Sequence, residues 1–136
     1  VLVAARCGAA VVLRDKNFMH DPDCLFCKII AGQIPSSKVH EDEDMLVFKD
    51  IHPAAPVHLL MVPKRHIPSM AQVGAEDAPL LGRMLAKAPQ LALDNGCNPY
   101  PQGGFRLMVN TGEEGGQEVH HLHIHVLGGP RPWKKG

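Results

Sequence analysis

Three histidines alternate with aliphatic residues near the C-terminal end of this 136-residue chain, in His121-Leu122-His123-Ile124-His125-Val126-Leu127. Strict alternation is the pattern of a β-strand with two unlike faces. Leu122, Ile124 and Val126 belong in a core, and His121, His123 and His125 share the opposite face. A strand that needed only a polar surface would use Thr, Lys, Glu or Ser. Imidazole titrates near neutrality and can act as base, nucleophile or metal ligand, so the row predicts chemistry. Alternate residues on one strand face lie roughly 6–7 Å apart, and two such rings can converge on an ion with Zn–N bonds of about 2.0–2.1 Å. All three would span about 13 Å. That argues against a three-histidine zinc centre on this strand alone and suits an extended charged group, such as the phosphates of a nucleotide. A purification tag would be terminal and uninterrupted, and this row is neither.

The flanks bear on the same chemistry. Gly115-Gly116, just upstream, permits positive φ and a close approach of backbone N–H groups to an anion. By itself it is also an ordinary loop. Cys24-x-x-Cys27 is half of a zinc site and needs two further ligands. The alternatives are two reduced thiols packed as small hydrophobes, or a redox pair, for which the βαβ setting is missing. With Cys7 and Cys97 added, the four cysteines are too scattered for a disulfide framework, and nothing indicates secretion, so a cytoplasmic protein is expected.

The elements that must position these residues can be read from the patterning. Cys24 to Ala31 has apolar residues at helical spacing, with Gly32 as a stop, and predicts a short helix. Val39 to Glu41 and Met45 to Phe48 predict strands across an acidic turn, and His58 to Val62 predicts a third. Ala75 to Asn95 predicts a long helix whose core stripe is Leu80, Leu81, Met84, Leu85, Ala88, Leu91 and Ala92. Pro89 lies inside that pattern and is expected to kink or split it. Phe105 to Val109 and the histidine row complete five strands. The expected class is α+β: a five-stranded antiparallel sheet with one short and one long helix.

The row His121 to Leu127 resembles the motif of the histidine triad (HIT) superfamily of nucleotide hydrolases and transferases. So do Phe26-Cys27-Lys28-Ile29-Ile30, Ile34-Pro35-Ser36, Phe48 to His58, Pro63 to Ile67 and Gly115-Gly116-Gln117. The similarity runs from about Cys24 to Trp133. Gly128-Gly129 and the short tail are similar to the HINT branch, the nucleoside phosphoramidases. The resemblance implies a HIT-like fold over a single domain, 19–136, with residues 1–18 an N-terminal extension.

It also implies roles. His121, His123 and His125 match the catalytic triad, with His123 the nucleophile that forms a nucleotidyl-histidine and His125 a phosphate- or ribose-side contact, and His58 matches a fourth active-site histidine. Asp50 matches the acceptor of both ribose hydroxyls, a two-oxygen group facing two donors. Leu25, Phe26, Ile29, Phe48 and Ile51 match the apolar slot for the purine; they are equally core residues by type. Asn110 and Gln117 match phosphate contacts, with backbone N–H groups near Val119 completing an anion cradle. Glu118 departs from eukaryotic relatives, which carry Ser beside the leaving amine. Zinc-bearing members join their cysteine pair to two histidines, here His66 and His121, so a structural zinc on Cys24, Cys27, His66 and His121 is implied. No cofactor is expected for catalysis itself. A homodimer is implied as well, with Trp133 reaching the partner's site or anchoring on its own subunit.

Composition sets outer limits. Apolar residues make up 45% of the chain, and 14 basic side chains balance 14 acidic ones. No net field favours nucleic acid or membrane, so any anion must be held by a local site. The chain has one Trp, one Tyr and four Phe, with no aromatic-basic interleaving for single-strand binding. The functions left are a purine nucleoside phosphoramidase, including aminoacyl- and lysyl-AMP adducts; a dinucleoside polyphosphate hydrolase; and a nucleotide-binding module with little turnover.

Overall fold

The computed structural model describes residues 20–133. The expected extension, 1–18, lies outside them. Helix α1 (Leu25–Ile30) is followed by strands β1 (Lys38–Glu41), β2 (Met45–Lys49) and β3 (Val57–Pro63). Two 3-10 turns (Met70–Gln72 and Ala75–Asp77) lead into helix α2 (Ala78–Asp94), then β4 (Phe105–Met108) and β5 (Ile124–Gly128). The strands form one antiparallel sheet in the order β1-β2-β3-β5-β4. This is the expected α+β architecture.

Period-two alternation assigns the two faces. Met45 and Val47 of β2, Val57, Leu59 and Met61 of β3, and Ile124 and Val126 of β5 pack against Met84, Ala88, Leu91 and Ala92 of α2. Leu46, Phe48, Leu60 and Val62 turn the other way, onto Phe26, Cys27 and Ile29 of α1. With both faces covered, every residue of β3 is buried.

Of the expected kink or split at Pro89, the split does not occur: α2 is continuous through it. Leu85, whose carbonyl loses its helical donor at Pro89, is itself about half exposed, so water can take the place of the missing N–H. That exposure also removes Leu85 from the expected core stripe. The helix begins at Ala78 rather than Ala75, because Pro79 suits its first turn while Ala75–Asp77 forms a 3-10 lead-in. It ends where the Asn95 side chain donates to the Leu91 carbonyl (2.8 Å) and Gly96 takes φ +114°.

The histidine row differs too. The ladder with β3 starts only at Ile124, paired with Met61, so His121 to His123 precede the strand. Continuing the register would set Leu122 opposite Pro63, which has no N–H to give. Leu122 N–H bonds the Ile67 carbonyl instead (2.7 Å). Among the described residues, no helix is long and apolar enough to cross a membrane.

Candidate active site

On the α1 face of the sheet lies a cavity of about 290 Å³, near the lower end of the range for ligand pockets, roughly 300–1,000 Å³. Of the expected residues, Leu25, Phe26, Ile29, Phe48, Asp50, Ile51, Asn110, Glu118, Val119, His123 and His125 line it. Phe26, Ile29 and Phe48 are buried and also belong to the core cluster, so the slot and the core share residues. Leu25 and Ile51 are exposed, Ile51 at 85%. An apolar side chain so open beside a cavity offers a surface for a flat ligand to cover.

The imidazole tautomers follow from their partners. His123 Nδ1 lies 2.7 Å from the His121 carbonyl oxygen, which can only accept. The proton is therefore on Nδ1, and Nε2 carries the lone pair. Burial holds His123 below the usual imidazole range, against the opposing pull of that hydrogen bond and of the Asp50 and Glu118 carboxylates. The result is a neutral ring with a basic nitrogen in a cavity wall.

His58 lies behind this wall rather than in it. Ala54 N–H donates to His58 Nδ1 (2.9 Å), which fixes the His58 proton on Nε2. That N–H points at His125 Nδ1 (2.9 Å), with Asp50 Oδ2 at 3.4 Å. His125 is thereby set with its proton on Nε2. Asp50, His58 and His125 bring ligand atoms within 4.8 Å of one another. An N–H at the centre makes the trio a hydrogen-bonded relay rather than a cation cage. Asp50 Oδ1 accepts from His52 N–H (2.8 Å), which orients the carboxylate.

Gln117 is placed otherwise than expected. Its amide nitrogen donates to the Pro68 (2.8 Å) and Val119 (3.0 Å) carbonyls, and its Oε1 accepts from Gly112 N–H (2.9 Å). The side chain braces the loop behind the cavity and does not face it. Trp133 is also elsewhere. It lines a second cavity of about 470 Å³. Its Nε1 donates to the Gly129 carbonyl, and Arg106 and Arg131 sit 5.0 and 4.9 Å from its ring centroid. Within one chain it anchors on its own subunit.

His121 has no exposed surface and faces a different set of groups. Its Nδ1 is 3.3 Å from Cys24 Sγ, 3.6 Å from Cys27 Sγ and 3.1 Å from His66 Nδ1, and Cys27 Sγ is 3.4 Å from His66 Nδ1. All four ligand atoms lie within 4.8 Å of one another. Tetrahedral zinc with ordinary bond lengths requires ligand separations of about 3.4–3.8 Å, so the donor set fits. His121 Nε2 donates to the Pro63 carbonyl (2.8 Å), leaving Nδ1 as the lone-pair atom, the usual arrangement behind a metal-bound histidine. Cys27 N–H also points at Cys24 Sγ, which caps α1. Burial pushes His121 down to about 4 and the Cys27 thiol up to about 12, and lowers His66 as well.

The cavity includes residues to which the sequence reading gave no role: Ile34, Ser36, Lys49, His52 and Leu60 among them. Leu60 shares the face of His58 on β3, so alternation alone would have found it. Lys49 and His52 flank Asp50 and Ile51 in sequence. Ser36 carried no such signal.

Residues 23–135 match the family model described as "Scavenger mRNA decapping enzyme C-term binding". Protein HitA of Neisseria gonorrhoeae is 51% identical over 108 residues, covering 79% of this chain and 97% of that protein. The purine nucleoside phosphoramidase of Escherichia coli strain K12 is 43% identical over 107 residues, covering 79% and 87%. Among solved structures, a histidine triad protein from Clostridium difficile is 41% identical with a TM-score of 0.77, covering 84% of this chain and 96% of that one. A HIT family hydrolase from Legionella pneumophila Philadelphia 1 is 46% identical with a TM-score of 0.75, covering 80% and 95%.

Proposed function

Because this chain belongs to the histidine triad family, we propose that it is a purine nucleoside phosphoramidase of the HINT branch. The observation that carries this reading is the 2.7 Å contact of His123 Nδ1 with the His121 carbonyl, which leaves Nε2 as the nucleophilic atom in the cavity wall. His123 Nε2 attacks phosphorus and the P–N bond breaks. The amine takes up a proton as it leaves, and the nucleotide remains on His123. Water then cleaves the N–P bond of that intermediate and releases the nucleoside monophosphate. His125, with its proton on Nε2, donates to a phosphate oxygen. His58 holds that tautomer, and Asp50 accepts the ribose hydroxyls. The purine lies between Leu25 and Ile51, over Phe26, Ile29 and Phe48. Substrates are adenosine or guanosine 5′-phosphoramidates, aminoacyl- and lysyl-AMP among them.

Cys24, Cys27, His66 and His121 hold a structural zinc in this reading, which ties α1 to the segment before β5. The protein works as a homodimer, for which the exposed Leu85, Pro89 and Leu93 of α2 and Phe105 on the edge strand β4 offer apolar surface. Cys24, Cys27 and Cys97 are not joined in disulfides, which suits the cytoplasm.

The test is turnover of an adenosine 5′-phosphoramidate beside a diadenosine polyphosphate, with His123→Ala in parallel. P–N cleavage that is lost in the variant, with AMP trapped on His123 of the wild type, is the expected result. Preference for the dinucleotide would make the chain a dinucleoside polyphosphate hydrolase. Tight AMP binding without turnover would make it a binding module.

A further inference from the structure

The nucleotide cavity carries a charge that a phosphate-binding site should avoid. Its ionised lining side chains are Lys49, Asp50 and Glu118. Asp50 has partners in His52 N–H and His58. Glu118 makes no hydrogen bond or ion pair among the described residues, and its side chain is exposed. Its backbone, by contrast, is held on both sides. Gln117 N–H bonds the Gly112 carbonyl and Gln117 Nε2 bonds the Val119 carbonyl. A carboxylate is thus presented from a fixed loop at the rim of the cavity that holds His123. Its field reaches that imidazole, whose protonated form it favours.

For the nucleotide's own phosphate this carboxylate is a cost, and for a second or third phosphate a larger one. For a departing group that carries positive charge it is a gain. We propose that Glu118 selects the leaving group by charge, favouring amines with a second cationic centre and repelling polyphosphates. The inference rests on the phosphoramidase reading and names the substrate subclass: adenylates of diamines and of basic amino acids linked through nitrogen.

The test uses three adenosine 5′-phosphoramidates of similar length, made from pentylamine, 1,4-diaminobutane and 4-aminobutyrate. In the wild type, kcat/KM should rank the diamine first and the aminobutyrate last. Glu118→Gln should shrink the diamine-to-aminobutyrate ratio by about tenfold, the size of two unit-charge interactions at a screened distance, one attraction and one repulsion both lost. Glu118→Lys should invert the ranking and Glu118→Asp keep most of it. Glu113→Gln and Glu114→Gln, outside the cavity, should leave the ratio unchanged. A second readout needs no turnover: Glu118→Gln should tighten ADP relative to AMP.

An unchanged ratio in Glu118→Gln, with the pentylamine compound still cleaved, would overturn the inference and leave the phosphoramidase reading standing. If the wild type cleaves none of the three, that reading falls. The ADP-to-AMP affinity ratio then decides the matter for Glu118: tightening supports charge selection, and no change overturns it.

Discussion

Replacing Gln117 with alanine separates two accounts of a residue that the family resemblance reads as a phosphate contact. In the structure its side chain satisfies three backbone groups, Gly112 N–H and the Pro68 and Val119 carbonyls, at 2.8–3.0 Å. It is 9% exposed, so water cannot simply replace it. A typical intramolecular hydrogen bond is worth about 1 kcal/mol net, and an orphaned buried group costs about 1–3 kcal/mol. Losing all three should therefore cost roughly 3 kcal/mol or more. For a domain of this size that is a fall in melting temperature of roughly 10 °C. Gln117→Glu should be no better, since it sets a carboxylate against two carbonyls. Thermal unfolding read beside steady-state kinetics is the assay. A brace predicts lower stability together with a raised KM, because the loop that carries Glu118 and Val119 loosens. A wild-type melting temperature with a collapsed kcat would refute the reasoning and return Gln117 to the phosphate.

A Cβ on Gly128 would run into Cys97 Sγ. Gly128→Ala should therefore cost about 1–3 kcal/mol, and Cys97→Ala should recover about 1 kcal/mol or more of it in a double-mutant cycle measured by urea unfolding; strict additivity would disprove the contact. Metal analysis of protein prepared without chelator should give about one zinc per chain, and stripping it should lower the melting temperature as Cys27→Ala does. Finding no zinc, or no shift on chelation, would remove the structural ion. Pro89→Ala restores a donor for the Leu85 carbonyl in an exposed turn of α2 and should stabilise by about 1 kcal/mol or more; a lower melting temperature would mean that Pro89 serves a packing role.

Much of this fold could be read from periodicity. Alternation in the histidine row assigned its two faces, the apolar runs of β2 and β3 were legible as strands but not by face, and the α2 stripe was right apart from Leu85. What failed depended on partners distant in sequence. Pro63 ends the β3–β5 ladder three residues into the histidine row, so His121 leaves the strand and turns to Cys24 and Cys27. Nothing local to His121 announces the break in the strand; its meeting with the cysteines was implied only by the family resemblance. Gln117 was read as a phosphate contact from the family resemblance, but its amide donates to the Val119 carbonyl and, across the chain, to the Pro68 carbonyl, while Gly112 N–H donates to its oxygen. The apolar slot was legible by residue type only as a choice between core and cavity. The structure shows that Phe26, Ile29 and Phe48 are both.

The group that fixes the proton of His123 is a peptide carbonyl. Every amino acid carries one, so no side-chain replacement at position 121 deletes it. Where a carboxylate side chain orients a histidine, one codon change removes the orienting group. Here a genetic screen at position 121 would report on the thiol-imidazole cluster and stay blind to the carbonyl. This tautomer is insulated from side-chain replacement at position 121, and only a shift of the main chain can undo it. Thinning the acceptor itself, as a thioamide at position 121 would, is a change that protein synthesis by the ribosome cannot make.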